Sequence, residues 1–198
     1  MRTCALCGKS GFFLRLDENS LCSSCQKYFL NVIAPRCKQF FESYDIITES
    51  KNLETIHSRS KFALDVLHDI NEKVDNKIDV ISLITQQMKV IDGKNMTTQM
   101  GIDLSEKYFQ YSDFICRGLE KSILETAYHD GSTTKARAKK DFLTAFEKFG
   151  QSFDSDRWDL DKSLISIFKR LEYENKIEKR KEGGHYEYFL GNVFTNEV

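Results

Sequence analysis

The sequence predicts a mainly α fold with small β-hairpins, and three observations carry that expectation. One proline and ten glycines among 198 residues leave too few turn formers for a sandwich or barrel. Apolar residues recur at helical spacing over most of the chain beyond residue 26. Short runs that read as strands are confined to the two ends. The composition, 40% hydrophobic and 30% charged, suits a globular chain rather than a disordered one. No apolar run exceeds the four residues Cys4-Ala5-Leu6-Cys7, well short of the roughly twenty a membrane span needs. Met1-Arg2 leads straight into cysteines, so no signal peptide is expected and the expected location is the cytoplasm.

The N-terminal element is read from its cysteines. Four of the six form two C-x-x-C pairs, Cys4/Cys7 and Cys22/Cys25, separated by fourteen residues. That lies just below the spacing of about 15–20 usual between paired zinc ligands. A two-residue spacer lets one tight turn present two thiolates to one ion, and two such turns close a tetrahedral site. Gly8 follows Cys7, where a knuckle turn needs a residue tolerant of unusual backbone. Phe12-Phe13-Leu14-Arg15-Leu16 reads as a short strand and Asp17-Glu18-Asn19-Ser20 as a turn. Beyond Cys25, Tyr28, Phe29, Val32 and Ile33 repeat at helical spacing, with Pro35 marking the stop. The second pair would then lie at a helix N-terminus, where N–H groups stabilise thiolate charge. Knuckle, hairpin and ligand-bearing helix over residues 1–34 resemble a treble-clef zinc finger.

That resemblance implies one structural Zn²⁺ with Cys4, Cys7, Cys22 and Cys25 as ligands. Four protein ligands leave no open position for catalysis. An iron–sulfur cluster would use the same residues. A disulfide framework is disfavoured in a reducing cytosol, and a thioredoxin-like pair lacks its βαβ context. Cys37 and Cys116 read as small buried hydrophobes.

Residues 35–60 read as a partly helical connector. Ser60 can cap a helix whose stripe is Ala63, Val66, Leu67, Ile70 and Val74. A second helix is expected over 77–91, with Ile81, Ile84, Met88 and Ile91 on one face and Asp92-Gly93 ending it. Asp103 then caps a long helix through about Ala127, striped by Leu104, Tyr108, Tyr111, Ile115 and Leu119. His57, His68 and His129 stand isolated and read as surface or cap residues.

In the last third, Thr133 or Thr134 caps a helix with Ala138, Phe142, Ala145, Phe146 and Phe149 on one face. Asp159 caps the next, in which Leu160, Leu164, Ile167, Phe168 and Leu171 form a buried stripe. Lys162, Ser166, Lys169, Arg170 and Tyr173 fall opposite. Lys176–Lys181 and His185–Leu190 read as strands joined at Glu182-Gly183-Gly184. The segments Ile167-Phe168-Lys169-Arg170-Leu171-Glu172, Asn175-Lys176-Ile177-Glu178-Lys179-Arg180 and Gly183-Gly184-His185-Tyr186 carry a resemblance to a winged-helix domain. The resemblance implies a helix for the DNA major groove and a hairpin for the backbone or minor groove.

Charge divides the chain into three blocks. Residues 1–41 carry +4, residues 42–130 carry −6, and residues 131–198 carry +1. The expected organisation is a zinc finger over 1–41, a helical connector over 42–130 and a winged-helix-like domain over 131–198. Double-stranded DNA is the expected partner. Arg137, Lys139, Lys140, Lys162, Ser166, Lys169, Arg170, Lys179 and Arg180 are its candidate contacts. The connector is a candidate dimerisation region. The alternative is a non-enzymatic adaptor that uses both ends to bind proteins. The phosphate loop, the G-x-S-x-G elbow and the H-E-x-x-H helix are all absent from the sequence, so an enzyme is not expected.

Overall fold

The computed structural model describes residues 1–88, 96–148, 150 and 152–191. It is mainly helical, with two antiparallel hairpins, one near each end. The elements are β1 (Arg2–Thr3), β2 (Ser10–Gly11), α1 (Ser23–Tyr28), a π-helical turn (Phe29–Ile33), α2 (Ala34–Glu49), α3 (Leu53–Val74) and α4 (Val80–Met88). Then follow α5 (Thr98–Asp130), α6 (Lys135–Lys148), α7 (Leu160–Tyr173), β3 (Ile177–Glu182) and β4 (His185–Leu190). The expectations for Ile91, Asp92-Gly93, Phe149 and the side chain of Met88 lie outside what is described. No helix among the described residues is long and apolar enough to cross a membrane.

Two compact units emerge. One comprises residues 1–49 and 58–109; the other comprises 50–57 and 110–198. Neither division falls at the charge breaks after residues 41 and 130.

In the first unit, the helix after Cys25 does not stop at Pro35. Proline lacks an N–H and its ring crowds the carbonyl four residues back, that of Asn31. The π turn immediately before it widens the spiral, and α2 runs on through Glu49. Phe29, Ile33, Cys37, Phe40 and Ile47 are buried along this path. The connector expected over 35–60 is therefore helix for most of its length.

Ser60 does not cap α3. It sits fully buried inside the helix, which starts seven residues earlier at Leu53. The cap is Asn52, whose Oδ1 accepts from the Glu54 and Thr55 N–H groups. The stripe from Ala63 to Val74 is buried as expected. Asp79 caps α4 by accepting from Ser82 N–H at 2.9 Å, and also takes the Thr98 N–H and hydroxyl. α5 begins at Thr98 rather than after Asp103, with Thr97 Oγ1 accepting from Met100 N–H. Gly101 lowers helix propensity in this first stretch, but packing overrides it. A Cβ there would stand 3.0 Å from the Phe40 ring.

The second unit closes around α7. Leu160, Leu164, Ile167, Phe168 and Leu171 are all buried, and Asp159 caps the helix by accepting from Lys162 N–H. Trp158 stacks on Tyr111 with ring centroids 5.4 Å apart. On α6, Ala138, Phe142 and Phe146 are buried, but Ala145 is exposed. β3 and β4 pair from Ile177↔Leu190 to Glu182↔His185. Gly183 and Gly184 join them, both at positive φ, which a two-residue hairpin turn of this hand requires. Thr133, between α5 and α6, adds a third chain to this hairpin. It exchanges both backbone hydrogen bonds with Tyr188 at 2.9 Å.

Candidate metal centre and basic face

The Sγ atoms of Cys4, Cys7, Cys22 and Cys25 all lie within 4.8 Å of one another. Two turns build this. Cys4 N–H donates to Lys9 O at 2.8 Å and Gly8 N–H donates back to Cys4 O at 3.0 Å, curling the first knuckle. Gly8 takes φ +69, the left-handed region that excuses it from carrying a side chain. The second turn is held by Asp17, whose Oδ1 accepts from the Asn19 and Leu21 N–H groups. Leu16 bridges Cys22, and Ala5 N–H reaches Ser20 O, so the two knuckles are stitched together.

The strand expected over Phe12–Leu16 does not form. β1 offers only two residues before Cys4 turns away, so it pairs Ser10–Gly11 and nothing further. Phe12 and Phe13 fall in the turn that follows.

The cluster fits a thiophilic cation by its own chemistry. Cys4, Cys22 and Cys25 are buried, whereas Cys7 is exposed. Burial works against the Cys4 thiolate, but backbone N–H groups of Cys7, Cys22 and Leu6 hold it, and the thiol falls to about 6. The Cys22 N–H stands 3.4 Å from Cys4 Sγ. Cys25 goes the other way, up to about 12, through burial and then the crowding of the other three sulfurs. Four sulfurs this close cannot all ionise unaided, and a divalent ion removes that conflict. These residues would hold the metal, with Cys22 capping α1 and Cys25 inside it. Cys37 and Cys116 are buried elsewhere, and burial pushes the Cys37 thiol up to about 12, away from ligand chemistry.

The nine candidate DNA contacts are placed unevenly. Lys162 and Lys169 are exposed on α7, and Lys179 and Arg180 are exposed on β3, with Lys162 3.5 Å from Asp159 and Arg180 2.8 Å from Glu178. Lys140 is exposed on α6, whereas Lys139 pairs with Asp161 at 2.8 Å and Arg137 pairs with Asp130. Ser166 and Arg170 are turned inward. Ser166 Oγ accepts from Asn52 Nδ2 at 2.9 Å. Arg170 donates to Glu54 at 2.5 Å and to Glu120 at 3.0 Å, and Lys176 reaches the other Glu120 oxygen at 2.8 Å. The polar face of α7 drawn from the sequence thus splits in two. One edge packs against residues 52–54, and the solvent edge is Lys162, Ile165, Lys169 and Tyr173.

Ile165 and Lys181 were not singled out by the sequence reading. Ile165 lies three residues after Lys162 and four before Lys169, so the helical period alone puts it on their face. Lys181 alternates with Lys179 along β3. Lys179 lies over the Tyr186 ring at 4.1 Å, and Arg180 over Phe189 at 4.7 Å. No family model, curated protein or solved structure matches the chain.

Proposed function

We propose that the chain is a DNA-binding protein, regulatory in role and non-enzymatic, whose N-terminal cysteines hold a structural zinc in a treble-clef-like knuckle. The C-terminal unit is read as a winged helix. The observation that carries this reading is the pairing of Thr133 with Tyr188. It makes the order helix α5, a single-residue bridge at Thr133, α6, α7, β3, β4, and we read α7 as the helix for the major groove and β3–β4 as the wing. The solvent edge of α7 offers Lys162 and Lys169, and the wing offers Lys179, Arg180 and Lys181, all exposed. Such cations bind phosphates and release counterions.

The adaptor reading has its own support. Ile165 is 40% exposed and Tyr173 is 89% exposed on the same edge of α7, an apolar component suited to a protein partner. The test is affinity for a mixed-sequence duplex at two salt concentrations. DNA binding through several cations gives a steep loss with salt; an adaptor gives no such binding. Self-association through the helices of residues 42–130 stays part of the proposal: on α5, Ile115 and Leu119 are buried, but Leu104, Tyr108 and Tyr111 of the same stripe are only half-buried.

A further inference from the structure

Phe12 is 80% exposed and Phe13 is 98% exposed, side by side in the turn after β2. A ring that exposed touches almost nothing of its own chain, so both of its faces are open. Apart from the metal-binding thiolates Cys4 and Cys7, every charged side chain in residues 1–16 is basic, namely Arg2, Lys9 and Arg15, and all three are exposed. Of the acidic residues that follow, Asp17 is turned into its own backbone, leaving Glu18 at the surface. The knuckle backbone beneath is pinned by the Cys4–Lys9 and Gly8–Cys4 hydrogen bonds, so presenting the rings costs little further ordering.

We infer that this turn is a binding site for single-stranded nucleic acid. Its rings stack on unpaired bases, and Arg2, Lys9 and Arg15 contact the phosphates between them. Open ring faces in a segment that also exposes Arg2, Lys9 and Arg15 match a polyanion whose flat apolar faces are also open. Duplex bases already cover one another, so the rings would have to unstack them first. A bilayer is the weaker fit. Ser10 and Gly11 precede the rings, and after them Leu14 is half-buried and Arg15 exposed, so the fully exposed apolar surface of the turn is two rings, whereas even a single acyl chain anchors only marginally. The site rests on the metal-organised knuckle but not on the α7 reading, since it belongs to the other unit.

The experiment is fluorescence anisotropy of the zinc-loaded chain with a labelled oligothymidylate of about 15 nucleotides and, separately, a mixed-sequence duplex. The variants are Phe12→Ala/Phe13→Ala, Arg2→Ala/Lys9→Ala/Arg15→Ala, and Lys162→Ala/Lys169→Ala as a control, each checked for zinc content. The phenylalanine variant should keep its zinc, lose oligothymidylate affinity by about tenfold or more, and bind duplex as the parent does. The triple variant should flatten the single-strand salt slope by about two. The control should leave oligothymidylate binding intact, so failure of the α7 reading shows separately. Equal single-strand affinity of parent and phenylalanine variant overturns the inference. Loss of that affinity in the α7 control overturns it too. So does ring-dependent binding to phosphatidylserine vesicles without oligothymidylate binding.

Discussion

Arg170 Nε lies 2.5 Å from Glu54 Oε1, joining α7 to the first turn of α3 across 116 positions of sequence. The two side chains are only 30% and 19% exposed, and Arg170 also holds Glu120 and Glu174. An arginine that reads as a base contact in sequence is here the centre of an ion-pair network. Its guanidinium is held charged: burial opposes this, and Glu54 and then Glu120 more than compensate.

Arg170→Ala should therefore act on stability before it acts on binding. It removes the arginine from Glu54 and leaves Glu120 with Lys176, at a cost on the order of 2 kcal/mol for a partly buried network. Lys169→Ala, one residue away and exposed, should stay within about 0.5 kcal/mol of the parent. Chemical denaturation of both variants checks this, and equal stability would place Arg170 outside any structural role.

The same network predicts an acid limb. Burial raises the Glu120 carboxyl, but Lys176 and Arg170 outweigh it and hold it below the ordinary glutamate range. A lowered folded-state value stabilises above the unfolded value, and that contribution is lost as pH falls through the folded one. The Glu120 contribution to stability, read by thermal melting, should therefore hold from neutral pH down to about pH 4.5 and be lost below it. Glu120→Gln should start lower at neutral pH and show a shallower acid decline. A decline as steep as the parent's would assign the acid sensitivity elsewhere.

Zinc removal should disorder the knuckle and spare the helix behind it. Cys22→Ser takes away one ligand while leaving a good N-cap residue at the start of α1, and structural zinc contributes on the order of 10 kcal/mol to such a site. α2 keeps its own buried side chains, Cys37, Phe40 and Ile47, so helix content should fall little. Metal analysis and circular dichroism together read the outcome. Stoichiometric metal in this variant would remove Cys22 from the ligand set.

Lys162→Ala/Lys169→Ala should weaken duplex DNA binding and reduce the salt slope by about two, with no change in fold. Lys179→Ala/Lys181→Ala on the wing should behave in the same way, since hairpin cations contact phosphate. Gel-shift titration over a salt series measures both. An unchanged slope in both variants would leave the apolar edge of Ile165 and Tyr173 as the working surface and favour the adaptor.

What the sequence determined by itself is whatever depends on short-range geometry. Two C-x-x-C turns bring Cys4, Cys7, Cys22 and Cys25 together because each spacer is a single turn. The α7 stripe and the Gly183-Gly184 hairpin follow from periods of 3.6 and 2 and from backbone that only glycine adopts freely. Tertiary structure decided what depends on partners distant in the chain. Helix continues through Pro35 because a π turn removes the steric reason to stop, and no propensity encodes that. α5 takes in Gly101 because the Phe40 ring needs the space. The period puts Ser166 and Arg170 opposite the buried stripe, but they face Asn52 and Glu54, more than a hundred residues away. A helical period separates buried from polar positions; it cannot tell a polar side chain that meets water from one that meets another element. That distinction is made by long-range packing, and it left Lys162 and Lys169 outside while drawing Arg170 in.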